Sequence, residues 1–339
     1  MKTIKVIMLF LFVGVVLAFA TTGMCADQKV IKLKYGGFFA PTHPFSKADQ
    51  AYFKHLKELT NGRLEIVPYW SCSLISRREN VEDIAKGVVD MGHMSPSYSK
   101  SGFVINRRYY GWFYGIADGN KRIDIFKKMC KKYPEVEEQY SSVVPIQISQ
   151  GATYQLLSAK KQINTVADMV GQQYKGTGLF VKVLTAVGAV GMQLPMGETY
   201  IAMQKGILDG CLAPYETLKS FRFAEVIDYL VELNFNGAPY YQKAMNPNAF
   251  KKLPPDIQKV IIDNIDWYSQ THKKISDASH QAGIDLGKKN GVHFSTMPKA
   301  EIQKLYKVFE DEARKSAKVL DERGYRGTEM FEWVRTFAD

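Results

Sequence analysis

A lysine within a glycine-rich segment is the residue of this sequence best suited to bind an anion. Residues 171–178 read GQQYKGTG, with Lys175 just before Gly176. A phosphate-binding loop places its lysine after the last glycine and follows it with serine or threonine. The register excludes such a loop. The segment is therefore predicted to be either an ordinary turn or a strand end that directs one positive charge toward a ligand.

Common motifs of catalysis and metal binding are missing from the sequence. There is no Gly-x-Ser-x-Gly elbow, no His-Glu-x-x-His pair and no Cys-x-x-Cys. The histidines lack the spacing of metal ligands: His43, His55, His93, His272, His280 and His293. No basic stripe within a nucleic-acid-binding module is visible. The residues favour a binding protein without a cofactor and without nucleic acid as a partner.

The first residues have the pattern of a secretory signal. Lys2 and Lys5 precede an uncharged apolar run over 6–20, which ends in the small residues Ala18 and Ala20. The run is shorter than the roughly 20 residues that span a bilayer, so a retained anchor helix is the less favoured alternative. We predict a signal peptide over 1–26, cleaved after Ala20 or Ala26, and a periplasmic location.

The mature chain retains a basic charge and an odd number of cysteines. Loss of the two leader lysines lowers the formal net charge from +11 to +9. Such a charge can favour anionic ligands, but lysines that solvate helix faces are the favoured explanation. Cys72, Cys130 and Cys211 have no motif spacing, so we expect three buried small side chains, with one disulfide as the alternative.

Hydrophobic periodicity predicts two α/β blocks followed by helices. The first block reads as strands over 31–35, 64–68 and 88–91, with helices over 46–59 and 80–87. The second begins near Gly151, with strands over 154–158, 172–175 and 192–195 and helices over 179–187 and 198–205. From 256 onward the chain is mostly helical, and the apolar residues from Ile257 to Tyr268 are spaced for one buried face of a long helix. Lys175 then lies at the carboxyl end of a strand, where open α/β sheets bind ligands.

Other candidate ligand contacts follow predicted strand ends or lie near the expected cleft. Each has an ordinary alternative as a core aromatic, a structural histidine or a solvated arginine. Trp112 belongs to an aromatic cluster over 109–114 that is either core or cleft wall. The candidates are Phe39, His43, Trp70, Ser71, Arg77, Arg78, His93, Trp112 and Tyr215.

Four segments resemble the solute-binding proteins of tripartite ATP-independent periplasmic (TRAP) transporters. They are KELTNGRLEIVPYWSCSL (57–74), DIAKGVVDMG (83–92), LLSAKKQINTVADMVGQQYK (156–175) and VGAVGMQLPMGETYIAMQKGILDG (187–210). The last is the most specific, because it carries the family's E-x-Y-x-A-hydrophobic-Q-x-G-hydrophobic-x-D-G run. A weaker match is AMNPNAFKKLPPDIQKVI (244–261).

The resemblance implies an α/β fold of the type II periplasmic binding protein class. Two α/β lobes would surround a ligand cleft, with a hinge and C-terminal strapping helices. Lobe I would comprise 27–150 plus about 238–275, and lobe II would comprise 151–237 plus about 276–339. The chain would cross between the lobes near 150 and near 237.

The resemblance also implies how the ligand is held. The family's carboxylate-binding arginine falls at Lys175, which offers a point charge instead of a two-pronged donor. Positions that carry a second basic residue, an aromatic residue and an asparagine in some relatives fall at Gln155, Met196 and Ala213. The ligand would be a small organic anion, aromatic or not, delivered to the membrane subunits of a TRAP transporter by hinge closure. The alternatives are a periplasmic sensor subunit and an enzyme that uses Lys175 or His43 as acid or base.

Overall fold

The protein is described by a computed structural model that covers residues 30–99 and 102–338. The predicted signal peptide and its cleavage sites lie outside these residues. Within the described ranges, no helix combines the length and apolar character that a membrane span requires.

Eleven strands of the described chain form two mixed sheets. The first sheet has the order β2-β1-β3-β10-β4, and the second has the order β11-β9-β5-β8-β6-β7. The strands are β1 (Ile31–Gly36), β2 (Leu64–Tyr69), β3 (Met91–His93), β4 (Val144–Ser149), β5 (Thr153–Ser158), β6 (Gln173–Gly176), β7 (Val190–Gln193), β8 (Gly210–Ala213), β9 (Tyr229–Asn236), β10 (Tyr240–Met245) and β11 (His293–Thr296). The expected α/β architecture with two sheets is confirmed.

Helices connect the strands and form most of the C-terminal third. They are α1 (Pro44–Leu59), α2 (Asn80–Lys86), α3 (Val104–Tyr109), α4 (Gly119–Lys132), α5 (Pro134–Glu138), α6 (Leu179–Ala186), α7 (Met196–Gln204), α8 (Thr217–Ser220), α9 (Pro247–Lys251), α10 (Pro255–Asp263), α11 (Ile265–Lys289), α12 (Lys299–Asp321) and α13 (Gly327–Arg335). Two short 3-10 helices span Val166–Met169 and Phe223–Glu225.

The sequence explains how α1 begins and which face it buries. The side chain of His43 caps the helix by accepting a hydrogen bond from the Phe45 amide, and Pro44 occupies the first turn, where its missing N–H costs nothing. Four apolar residues repeat at helical spacing and pack beneath the first sheet: Ala48, Tyr52, Phe53 and Leu56. His43 is thereby fixed at the junction of β1 and α1.

Two short segments that touch each other carry the chain between the sheets, and α11 lies in a third crossing, from β10 to β11. Residues 150–152 join β4 to β5, and residues 237–239 join β9 to β10. The Gly237 amide donates to the Ala152 carbonyl oxygen at 2.8 Å. Gly151 has φ +75°, and a Cβ there would lie 2.2 Å from the Gly237 carbonyl oxygen. Only glycine therefore fits both the conformation and the contact.

The long helix α11 packs against elements of both sheets. It contacts β4 in the first sheet and α8 beside the second. At Gly283 the backbone approaches so closely that a Cβ would lie 2.1 Å from the Tyr215 carbonyl oxygen. The sequence pattern predicted one helix running through residues 257–268. The structure instead breaks it at Asn264, whose side chain bonds the Val260 carbonyl oxygen and the His55 ring.

Two smaller differences from the sequence prediction bear on the site. The strand expected over 88–91 lies at Met91–His93, so His93 belongs to β3 and its side chain is 3% exposed. All three cysteines of the described chain are free, but Cys72 is half-buried, whereas Cys130 and Cys211 are buried.

Candidate ligand-binding site

A cavity of about 140 Å³ lies between the two sheets. A cavity of about 150 Å³ lined by apolar side chains is large enough to hold benzene, so this one matches a single aromatic ring. Its walls come from both sheets and from α11: Phe38, Phe39, His43, Phe45, Arg77, His93, Ser95, Ser97, Tyr98, Tyr110, Ser149, Gln150, Gly151, Ala152, Tyr154, Lys175, Thr177, Met196, Pro214, Glu216, Thr217, Phe221, Tyr240, Gln242, His272, Ser276 and His280.

Strand ends account for most of this wall. Phe38, His93 and Thr177 lie at or just beyond the carboxyl ends of β1, β3 and β6. Tyr240 and Gln242 lie in the first half of β10, which runs antiparallel to β3 and β4 and so brings them to the same edge. Ligands of open α/β sheets bind at this edge.

Lys175 supplies a buried positive charge in the cavity wall. Its side chain is 1% exposed, and Nζ lies 3.3 Å from Thr177 Oγ1 and 4.0 Å from Met196 Sδ. Among the described residues, no carboxylate lies within ion-pair distance of this ammonium group. Burial lowers the pKa of Lys175 to about 8, while Cys211 opposes the shift. The group is therefore still mostly charged at neutral pH and lacks a counter-ion.

The second buried lysine near the cavity is paired. Lys243 lies 3.2 Å from the Asp49 carboxylate, and its Nζ also donates to His93 Nδ1 at 3.2 Å. Asp49 accepts further hydrogen bonds from the Tyr35 and Tyr268 hydroxyls. This pair is satisfied within the protein, whereas Lys175 has no such partner among the described residues and calls for an external anion.

Aromatic rings form a flat slot next to these groups. The rings of Phe39 and His43 stack at 4.0 Å with an interplanar angle of 11°. Phe221, which follows α8 beside the second sheet, lies 5.7 Å from the His43 ring and 6.5 Å from the Phe39 ring. Arg77 lies 5.5 Å above the Phe39 ring, as a cation–π contact. Such walls favour an apolar, planar ligand body.

Four neutral histidines line the cavity. Burial lowers the pKa of His43 to about 3, with Lys243 and Arg77 adding to the effect. Burial also lowers the pKa values of His93 and His272 well below the ordinary value, and that of His280 to a smaller extent. These imidazoles are therefore uncharged at physiological pH and act as hydrogen-bond donors or acceptors.

Hydroxyl groups and one carboxyl group complete the polar lining. The Tyr110 and Tyr154 hydroxyls are 2.8 Å apart, and the Tyr240 hydroxyl accepts from Gln242 Nε2 at 3.1 Å. Glu216 is 6% exposed, and burial raises its pKa to about 7 despite a hydrogen bond from Ser220. Burial therefore weakens, without removing, the negative charge that Glu216 brings to the cavity near neutral pH.

A second cavity of about 530 Å³ adjoins the first and shares Phe38, Phe39, His43, Arg77 and Phe221 with it. We call it the vestibule. Its remaining walls are Ala40, Thr42, Lys47, Ser71, Cys72, Lys219 and Ser220. Three of its residues are cationic and none is acidic, so the vestibule has a positive potential.

The structure brings only some of the predicted site residues together. Phe39, His43, Lys175 and Met196 line the cavity, as do the further candidates Arg77 and His93. Ser71 lies in the vestibule. Tyr215 lies beside the wall residues Pro214 and Glu216, but its own hydroxyl donates to Glu232 at 2.8 Å.

Four other predicted contacts are placed elsewhere, and this corrects the expectation. Trp112 is fully buried in the largest core cluster, edge-on to Phe331 at 5.6 Å. Trp70 packs edge-on to Tyr35 at 5.6 Å and covers the end of β1. Ala213 is buried in the core of the second sheet, and Arg78 is exposed outside both cavities.

Gln155 is occupied by the backbone of its own sheet. Its Oε1 accepts from the amides of Leu233 and Asn234, and its Nε2 donates to Asn234 Oδ1 at 2.9 Å. These bonds satisfy an irregularity in the pairing of β5 with β9. These bonds hold the side chain within the sheet, and it is not part of the cavity wall.

Several wall residues were missed by the sequence reasoning. Within the aromatic segment over 109–114, Tyr110 is the member that lines the cavity, because its hydroxyl bonds Tyr154. His272, Ser276 and His280 also line it, and their spacing of four residues on α11 is the signal that could have grouped them on one helix face. Tyr98, Glu216 and Phe221 carried no such signal.

The two-sheet fold with a buried cavity between the sheets is that of a periplasmic-type solute-binding protein. The chain matches the bacterial extracellular solute-binding proteins of family 7 over residues 35–318, and it belongs to that family. The prediction of a TRAP-type solute-binding protein is confirmed, and so is the prediction of a binding protein in place of an enzyme.

Solved structures share the fold. A TRAP solute-binding protein of Rhodoferax ferrireducens, in complex with copurified benzoate, is 20% identical with a TM-score of 0.81, over 91% of this chain and 97% of that one. A marine metagenome TRAP solute-binding protein specific for aromatic acid ligands, in complex with 3-hydroxybenzoate, is 17% identical with a TM-score of 0.82. The match covers 91% of this chain and 98% of that one.

Sequence relatives match more loosely. A monocarboxylate 2-oxoacid-binding periplasmic protein of Nostoc sp. is 24% identical over 226 residues, which are 61% of this chain and 57% of the relative. A C4-dicarboxylate-binding periplasmic protein of Rhodobacter capsulatus is 21% identical over 265 residues, covering 76% of this chain and 78% of the relative.

Proposed function

We propose that this protein is a periplasmic receptor for a small aromatic carboxylate, which it binds between the lobes and delivers to the membrane subunits of a TRAP transporter. The observation that carries the proposal is Lys175, a buried ammonium group that has no carboxylate partner among the described residues and lies in a cavity walled by aromatic rings. Desolvating a cation is costly, and a bound carboxylate offsets that cost.

The size and walls of the cavity favour an aromatic acid over a flexible aliphatic one. The enclosed volume of about 140 Å³ corresponds to one ring. The stacked Phe39 and His43 rings and the nearby Phe221 present flat apolar surfaces, whereas Lys175 supplies the charge for one carboxylate. Relatives solved with benzoate and 3-hydroxybenzoate are consistent with this ligand class.

Hinge closure would couple binding to delivery. We assign 27–150 plus about 238–275 to lobe I and 151–237 plus about 276–339 to lobe II, with the hinge at the two crossing segments. The cavity walls come from both lobes, so a ligand that contacts both stabilises the closed form. Export through the predicted signal peptide would place the receptor in the periplasm.

The proposal is tested by isothermal titration of benzoate, with benzamide as the uncharged control of the same shape. Benzoate should bind and benzamide should not, because only the carboxylate neutralises Lys175. At a hundred times its dissociation constant, a bound acid should add about 2.7 kcal/mol to the free energy of unfolding. Equal binding of benzamide, or no binding by any aromatic acid, would contradict the proposal.

A further inference from the structure

The cavity holds two buried ring nitrogens without partners, on the wall formed by α1 and α11. Across the residues described, His43 Nε2 and His272 Nε2 are shielded from solvent and make no hydrogen bond within the protein. The side chains are 7% and 3% exposed, and both line the cavity. Native proteins pair nearly all buried polar groups, so these two nitrogens call for an explanation.

The tautomer of His43 is fixed by the chain itself. The Phe45 amide donates to His43 Nδ1 at 3.2 Å, as the cap of α1. An accepting Nδ1 carries no proton, and a neutral imidazole then carries its proton on Nε2. His43 therefore presents an N–H donor that no protein group in the described chain accepts.

Aromatic rings surround this N–H donor, and Nε2 makes no hydrogen bond within the described chain that would give it a structural role. One face of the ring stacks on Phe39, while Phe45 and Phe221 contact it edge-on. His272 packs on Phe45 at 4.7 Å, so both histidines border the same aromatic slot. The nearby cations are Lys243, which is paired with Asp49, and Arg77. The nearest charges are thus positive, which favours a hydrogen-bond acceptor.

We infer that His43 and His272 form a second subsite, which selects an aromatic acid with a further hydrogen-bond acceptor on its ring, such as a hydroxyl or a second carboxylate. This inference rests on the proposed function, because it assumes that Lys175 holds the first carboxylate. Lys175 lies on β6 of the second sheet, whereas His43 caps the start of α1 and His272 lies on α11. A ligand with acceptors at two positions therefore connects both walls.

The test uses variants that remove the two unpartnered ring nitrogens and spare the fold. His43→Asn retains an N-cap side chain for α1, because asparagine is among the best N-cap residues, but it lacks Nε2. His272→Phe keeps a ring against Phe45 without a donor. His293→Asn is the matched control, because His293 is exposed at the edge strand β11.

Isothermal titration compares benzoate with its 3-hydroxy, 4-hydroxy and 3-carboxy derivatives. In the unmodified protein and in His293→Asn, the best derivative should bind at least about tenfold more tightly than benzoate, since a matched buried hydrogen bond is of this order. In the His43→Asn/His272→Phe double variant that preference should vanish, so that every derivative binds within about twofold of benzoate measured in the same variant.

Each failure has a distinct signature. If benzoate binds as tightly as every derivative, or if the preference survives in the double variant, the second subsite is refuted while the receptor function stands. If no member of the panel binds the unmodified protein, the proposed function falls and the subsite with it. Circular dichroism of the double variant confirms that any loss arises in a folded protein.

Discussion

Lys243 and Asp49 form a buried ion pair at 3.2 Å, with side chains 0% and 2% exposed. The pair stands beside the cavity: Lys243 lies on β10, the strand that follows the second crossing segment, and Asp49 lies on α1. Lys175 is equally buried but has no such partner among the described residues. The two lysines differ in what they need: Lys243 is satisfied by the protein, and we propose that a ligand satisfies Lys175.

This contrast predicts opposite effects on the stability of the ligand-free protein. Lys243→Met should lower the free energy of unfolding by about 3–5 kcal/mol, because it leaves the buried Asp49 carboxylate without its cation. Lys175→Met should leave stability unchanged or raise it, because it removes an unpaired buried charge. Urea denaturation without added acid measures both. Equal destabilisation by the two changes would mean that Lys175 is a structural cation.

Glu216 should make stability depend on pH near neutrality. Its pKa is raised by burial to about 7, so its contribution to folding is full below about pH 4.5 and is lost as pH rises through 7. The Ser220 hydroxyl donates a hydrogen bond to Glu216. His272 and His280 line the same cavity, but burial keeps both imidazoles neutral.

The variant that isolates this group is Glu216→Gln. Relative to the unmodified protein, it should gain roughly 2–4 kcal/mol of unfolding free energy between pH 5 and pH 8.5, the order that a shift of this size implies. Urea denaturation at a series of pH values gives the difference. A difference that stays constant with pH would show that Glu216 is ionised throughout.

The contact between the crossing segments predicts a strong effect of Gly151→Ala. The new Cβ would lie 2.2 Å from the Gly237 carbonyl oxygen and would force the segments apart. Gly291→Ala is the control, because Gly291 has φ +81° but no atom within 4 Å of the added group. Both changes incur the cost of a left-handed residue, about 1–2 kcal/mol.

Of the two changes, only Gly151→Ala should weaken ligand binding. Gly151→Ala should weaken acid binding at least about tenfold and lower stability further than the control, whereas Gly291→Ala should leave the dissociation constant unchanged. Calorimetric titration and urea denaturation of both variants provide the comparison. Matching affinities in the two variants would separate the crossing segments from ligand binding.

The cationic vestibule should speed the arrival of anions. Lys47 and Lys219 line it and are exposed. Their joint change to glutamine should lower the association rate constant about two- to fivefold at low salt, with little effect on the dissociation rate. The control changes two exposed lysines outside both cavities, Lys289 and Lys318, and so alters net charge equally. Stopped-flow measurements with equal rates in both pairs would exclude steering by the vestibule.

Local sequence patterns predicted the strands and the helices that border the site. Alternation in β1 and the apolar spacing in α1 are set by neighbouring residues, although the His43 cap begins α1 two residues before the predicted start. Strand bounds shifted by one to three residues. Lys175 was located because the family pattern leads to the end of β6, and strand ends meet at one edge.

The rest of the site depends on contacts between distant segments. His272 lies more than two hundred residues from His43, and its place in the cavity follows from the path of α11 across both sheets. The aromatic segment over 109–114 is apolar throughout, so only the packed structure distinguishes the buried Trp112 from the cavity residue Tyr110. Gln155 was misjudged because an irregular strand pairing uses its side chain.

Anchoring of the ligand by Lys175 is measured most directly by isothermal titration with the tightest-binding acid of the benzoate panel. Lys175→Met should weaken that acid at least about a hundredfold, since truncating one partner of a buried charge pair costs about 2–5 kcal/mol. The ligand-free variant should remain as stable as the unmodified protein, so the loss cannot be attributed to unfolding. An unchanged dissociation constant in Lys175→Met would contradict the anchoring role of this lysine.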